Sequence, residues 1–328
     1  MSTQARLRLA AYAVLSLLAW PAAASSQASH QDTMKPAFVL KGASMTEAQC
    51  AALSESVWVA RSGQGDCIRY FSGGLGDKNQ KAIVYFHGDR LWRRWNRDFT
   101  VTREHKVIGY RDNDPARLKA EMRAIAASAG RPAIFIARPG VYGSSGQHAN
   151  RRQVREVELM DGALDEIKRR HRIGRFVLAG QSGGGHVVGA MLARRQDVEC
   201  AVLTSAVVAV RARVEARRWP ADVTGARTFF DPIEHVQEIK ADPALRIFVV
   251  GDPRDTNVPF ATQALYHEAL KSRGLDAYLL KASGRGQERH GLDRWAKQIA
   301  IWCAQGLATH DIVRQVKPDD GLVETHKE

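Results

Sequence analysis

The sequence predicts an α/β fold in which a mostly parallel sheet is covered by helices on both faces. Three observations carry that expectation. From Cys67 onward, short apolar runs rich in β-branched and aromatic residues alternate with amphipathic stretches of helical period. The helical stretches are long enough to serve as crossovers between parallel strands. At 328 residues and 45% apolar content, the chain can bury a substantial core.

Taken in order, Thr46–Ser56 reads as a helix-like stretch ahead of the alternation. Ala82–Phe86 (AIVYF) is a buried-strand run that stops at His87-Gly88. Pro115–Ala129 reads as a helix, and Ala133–Ala137 (AIFIA) as a strand running into Arg138-Pro139-Gly140. Gln153–Arg170 sets Val154, Val157, Met160, Ala163, Leu164 and Ile167 at helical spacing. Arg175–Ala179 (RFVLA) is a strand and Gly183–Arg195 a helix rich in small residues. Three further strands are Ala201–Thr204, Ile247–Val250 and Ala277–Leu280, the last two followed by helices at Pro259–Ser272 and Gly291–Ala304. Between Val207 and Ala241 the rhythm breaks. This Arg-rich segment carries Trp219, Phe229 and Phe230, and reads either as a small cap over the C-terminal edge of the sheet or as a helix with a long loop.

The N-terminus has the pattern of a secretory leader. Arg6 and Arg8 precede an apolar run from Leu9 to Trp20, and Ala22-Ala23-Ala24 offers a small-residue cleavage site. The expected organisation is therefore a leader over 1–24, an N-terminal extension over 25–66, a folded domain over 67–310 with the insertion at 207–241, and a polar tail over 311–328. Export makes the protein secreted or periplasmic, with no stable membrane span once the leader is gone. The four cysteines then face an oxidising compartment. Cys50–Cys67 is the favoured pair because it closes a short loop, while Cys200 and Cys303 read equally well as buried thiols.

The formal net charge is +13, with short basic clusters at Arg93-Arg94, Arg151-Arg152 and Lys168-Arg169-Arg170. These read as solvated surface, because no nucleic-acid-binding signature accompanies them. Metal-ligand spacings of the H-E-x-x-H or C-x-x-C kind are absent, as is a phosphate-binding P-loop, so neither a metal nor a cofactor is expected.

The chemistry lies in Gly180-Gln181-Ser182-Gly183-Gly184, a G-x-S-x-G pentad between the strand Arg175–Ala179 and the helix Gly183–Arg195. That context is what a nucleophile elbow requires. A serine on so tight a turn needs nearly side-chain-free neighbours two positions before and after it, which Gly180 and Gly184 supply. The Gly183 N–H, at the helix start, is placed to stabilise an oxyanion, and the Asp89 N–H after His87-Gly88 is the candidate second donor. His87 itself reads as structural. An acid and a base should follow the serine in that order. Asp255 and Asp252 compete for the acid after the strand Ile247–Val250, Asp255 being favoured. His290, on a glycine-containing loop after Ala277–Leu280, is the base. Tyr142, Trp219, Phe229 and Phe230 are candidates for lining an apolar substrate pocket.

Over about Cys67 to Gln305 the sequence resembles the α/β-hydrolase superfamily. The matching pieces are the HG at 87–88, RPGVYGSSG at 138–146, GQSGG at 180–184, DTNVP at 255–259 and HG at 290–291. Within the superfamily it is most similar to the dienelactone-hydrolase and prolyl-oligopeptidase-like branches. The resemblance implies an α/β-hydrolase fold and a serine hydrolase that cleaves a small-molecule ester, or less readily an amide or short peptide, through an acyl-enzyme. The alternatives are an acyltransferase using the same residues and a non-catalytic binding protein of the same fold.

Overall fold

The computed structural model describes residues 32–61, 63–92, 106–107 and 114–318. The expected leader and Arg93-Arg94 lie outside the described residues, as does the tail beyond residue 318. Two short helices come first, α1 (Pro36–Val39) and α2 (Glu47–Ala51). A capping box between Thr46 and Gln49 starts α2. The helix-like stretch expected at Thr46–Ser56 is therefore one turn and a half, and Ser56 already begins a strand.

The hairpin β1 (Ser56–Arg61) and β2 (Gln64–Gly73) leads into β3 (Asn79–Phe86). The extension at 25–66 thus contributes β1 to the sheet instead of lying ahead of the fold. A separate two-stranded ribbon is made by β4 (Leu91–Trp92) and β5 (Lys106–Val107). Then come α3 (Pro115–Ala129), β6 (Ala133–Ile136), α4 (Val154–His171), β7 (Ile173–Gln181), α5 (Gly183–Arg194) and β8 (Val198–Thr204). The insertion holds α6 (Val210–Ala216) and a 3₁₀ turn at Pro232–Glu238. The chain closes with β9 (Arg246–Gly251), α7 (Phe260–Ser272), β10 (Ala277–Lys281), α8 (Asp293–Gln305) and α9 (Thr309–Gln315).

Among the described residues, eight strands form one sheet in the order β1-β2-β6-β3-β7-β8-β9-β10. β2 runs antiparallel to β1 and β6, and every pair from β6 to β10 is parallel. Apolar residues of α4, α5 and α7 pack on one face, and those of α3, α8 and α9 on the other. Local chemistry sets the helix limits. Asp114 caps α3 through the Arg117 N–H, Pro115 supplies its first turn, and Gly130 ends it in a left-handed conformation (φ 60°). In α4 the expected apolar positions are buried except Val154, which is 53% exposed because the helix begins there, beyond the sheet.

Two disulfides join distant segments. Cys50–Cys67 ties α2 to β2, and Cys200–Cys303 ties β8 to α8, so none of the four cysteines is free. Among the described residues, no helix is long and apolar enough to cross a membrane.

Arg151 and Arg152, expected on the surface, have almost no exposed side chain (1% and 0%). They pair with carboxylates brought from elsewhere in the chain.

Candidate active site

The parallel register places the C-terminal ends of β3 and β7 side by side, with Phe86 opposite Gly180, and sets Gln181 opposite Thr204 of β8. Ser182 leaves β7 at φ 57° and ψ −119°, in a region that non-glycine residues rarely enter, and α5 starts at the next residue. The surroundings force this geometry. The Ser182 N–H donates to the Thr204 carbonyl (2.9 Å), and the Ser182 carbonyl accepts from the His186 N–H (3.1 Å) and the Val207 N–H (3.3 Å). A Cβ at residue 180 would overlap the Gly184 backbone, and one at 184 would overlap the Phe86 carbonyl. Both glycines of the pentad are needed because backbone crosses backbone there.

Gly183 has its own reason. A Cβ on it would run into the Asp89 carboxylate and the Arg138 guanidinium. Among the described residues, neither the Gly183 N–H nor the Asp89 N–H donates to an acceptor. The first belongs to the opening turn of α5, where helical amides lack partners.

His87 is fully buried. Its Nδ1 lies 2.7 Å from the Gly88 carbonyl, and its Nε2 accepts from the Arg138 N–H at 3.3 Å. Burial, reinforced by Arg90 and Arg138, pushes it well below the ordinary imidazole pKa, so it is a neutral fixture of this loop.

His290 Nδ1 lies 2.8 Å from Asp255 Oδ2. The other Asp255 oxygen accepts from the Asn257 N–H (2.8 Å) and the Val258 N–H (2.9 Å), which fixes the plane of the carboxylate. Asp252 does something else. It accepts from the Arg254 and Gly284 N–H groups (2.8 Å each), closing the turn after β9 and tying it to the loop after β10. Of the two competing aspartates, Asp255 is the one beside the histidine. Gln181 Nε2 also donates to the His290 carbonyl (3.0 Å), fastening the histidine loop to the elbow.

Ser182, His290 and Asp89 border one hollow of about 300 Å³. Leu91 and Val223 are its larger apolar walls, while Arg90, Arg213, Asn257 and Glu288 make the rest strongly polar. A larger neighbouring hollow of about 670 Å³ shares Gly88, Arg90 and Gln181 with it. Tyr142 borders that second hollow. The other three expected pocket aromatics do not line either one. Trp219 is stacked by Arg213 (5.1 Å) and Arg217 (5.9 Å), Phe229 packs with Val207, Val210 and Val258, and Phe230 stacks on His235 at 4.0 Å. Among the described residues, no group of three or more His, Cys, Asp or Glu is placed to hold a metal ion.

Sequence reasoning missed a buried ionic network under this site. Asp89 accepts from Arg138 (2.9 Å) and Arg152 (2.6 Å) and forms an ion pair with Arg151 Nε at 2.8 Å, and Arg138 also meets Glu156 at 2.8 Å. Burial alone would raise the Asp89 pKa, but the three guanidiniums hold it well below the usual carboxylate range. No local pattern in the sequence distinguishes these arginines from surface ones.

The strand order, the parallel register and the strained serine between β7 and α5 define an α/β-hydrolase fold. No protein-family model matches the chain, and no curated protein matches it in sequence. Its likeness to solved proteins is structural. Acylaminoacyl peptidase of Pyrococcus horikoshii superposes with a TM-score of 0.51 at 15% identity, over 75% of this chain and 39% of that one. An esterase of Pyrococcus furiosus gives 0.50 at 11% identity, over 80% and 95% of the two chains. Prolyl oligopeptidase B of Galerina marginata gives 0.50 at 11% identity, over 77% and 36%. The chain thus spans well under half the length of the peptidases it matches, and most of the length of the esterase.

Proposed function

We propose that the protein is an exported serine hydrolase that cleaves an ester, and less readily an amide or peptide bond, through an acyl-enzyme on Ser182. The observation that carries this reading is the Asp255–His290 pair, whose histidine borders the same hollow as a serine held at φ 57°. In the proposed reaction His290 Nε2 takes the Ser182 hydroxyl proton as Oγ attacks the substrate carbonyl. Asp255, fixed by two backbone N–H groups, keeps the Nδ1 proton in place and stabilises the imidazolium. The Gly183 and Asp89 amides receive the oxyanion. Collapse expels the alcohol, which takes its proton from His290. Water then repeats the sequence in reverse and frees the acid.

The fold is one that esterases and peptidases share, and the polar hollow suits a small, partly polar substrate. Export is supported by the leader pattern of residues 1–24 and by two disulfides, which persist in oxidising compartments. The test is labelling with an activated fluorophosphonate, alongside a panel of p-nitrophenyl esters of graded chain length and aminoacyl-anilides. Stoichiometric labelling that vanishes in Ser182→Ala, with turnover of short esters, is the expected result. A folded protein that never reacts with the probe overturns the reading.

A further inference from the structure

One of the two readings of the segment 207–241 is a small cap over the pocket. Its aromatic residues do not line that pocket, but two of its charged residues connect the halves of the site. Arg152 bridges outward from Asp89, its Nε and Nη2 each standing 3.0 Å from Asp222 Oδ2. The other Asp222 oxygen faces Arg213 Nη1 at 3.9 Å. Arg213 in turn donates from Nη2 to Asn257 Oδ1 (2.7 Å) and from Nε to the Asn257 carbonyl (3.2 Å). The Asn257 N–H holds Asp255, and Asp255 holds His290. Hydrogen bonds, joined at Asp222–Arg213 by a 3.9 Å ion pair without a hydrogen bond, therefore lead from the loop that carries the Asp89 amide to the acid–base pair through side chains of the insertion.

Burial makes this line consequential. The side chains of Arg152 and Asp222 are 0% exposed and that of Arg213 is 6%. With little water to screen them, displacement of one charge is felt by its neighbours. Burial by itself would raise the Asp222 pKa, yet Arg152 and then Arg213 hold it at about 2, so it stays ionised between them. The sheet cannot do this work alone. β3 and β9 are separated by β7 and β8, and strand pairing fixes strand ends without fixing the direction of a loop amide or a carboxylate beyond them.

We propose that Asp222 and Arg213 are positioning residues that set the Asp89 amide and the Asp255 carboxylate together, so that both halves of the catalytic site form as one unit. The inference rests on the hydrolase reading. It is tested on the full chain by a double-mutant cycle with Arg152→Lys and Arg213→Lys, which alter the two sides of Asp222. Rates are expressed per site titrated with fluorophosphonate, so that loss of folded protein drops out. Each variant is expected to lower kcat by at least about tenfold with KM moved much less, since small misplacements at a reacting centre have large effects on rate. The double variant should fall short of the product of the two single effects by at least about threefold, because residues in one network are not independent. Asp222→Asn, which keeps the shape and removes the charge, should also displace the acidic limb of the kcat/KM profile. Single effects that multiply within about twofold, or an unchanged kcat per titrated site with only a lowered Tm, would show that the network is merely structural. If the wild type itself neither labels nor hydrolyses any ester, the hydrolase reading fails and this inference falls with it.

Discussion

At Ser182 the backbone stores strain of about 1–3 kcal/mol, which persists only because the crossing of β7, β3 and α5 permits no other path. Replacing the serine with alanine should cut ester turnover by at least about 10³-fold while the protein remains folded, measured on freshly purified Ser182→Ala. Gly184→Ala should behave differently. Its Cβ would meet the Phe86 carbonyl, and backbone cannot yield as a flexible side chain can, so a stability loss of about 2 kcal/mol or more is expected in denaturant titration. The aspartates separate at the same scale. Asp255→Asn should reduce kcat by about 10⁴-fold, because the amide would hold the imidazole in the wrong tautomer and lacks the charge that stabilises the imidazolium. Asp252→Asn should lower stability through the turn it closes, with a smaller effect on rate per folded molecule.

Among the elements, helix limits and strand runs were largely legible because they depend on neighbouring residues. Asp114, Pro115 and Gly130 bound α3 by capping chemistry that acts within one turn. The short α2 stops sooner than its sequence suggests because Glu55 turns at φ 53° and the Ser56 hydroxyl donates to the Cys50 and Leu53 carbonyls, closing the helix before β1 begins. The disulfides are also features of elements. Cys200–Cys303 closes a separation of 103 residues and Cys50–Cys67 one of 17. On the chain-entropy account, removing the longer link should cost about 4–5 kcal/mol and the shorter about 3 kcal/mol. Paired Cys→Ala variants compared by chemical denaturation check the order, and an equal or reversed cost would argue for residual structure in the unfolded chain.

Across the whole molecule, buried histidines add to the loss of stability in mild acid. His186 is enclosed, with Nε2 2.8 Å from the Phe230 carbonyl, and burial lowers its pKa to about 4 from an ordinary 6.5. Its folded pKa is depressed, so the native state resists the proton that the unfolded chain accepts. The stability it contributes is therefore complete above pH 6.5 and is lost as pH falls toward 4, by about 3 kcal/mol for this residue alone. His87 and His148 are shifted in the same direction, first by burial and then by nearby arginines, and steepen the loss. Urea midpoints should fall steadily over that window, and His186→Gln should flatten the slope.

The amino-acid sequence by itself determined the alternation of strands and helices, the elbow around Ser182 and the order in which serine, acid and histidine follow one another. Those features rest on short-range rules: side-chain period, the steric demand for Gly180 and Gly184, and the placing of loops at strand ends. The tertiary structure alone decided which aspartate stands beside His290, and which aromatics pack away from the hollow. It also decided that Arg151 and Arg152 are buried. Arg152 meets Asp89 across 63 residues of sequence and Asp222 across 70, and a guanidinium becomes interior only when carboxylates so distant converge on it. Burial and charge pairing are properties of the assembled chain, and no local pattern records them.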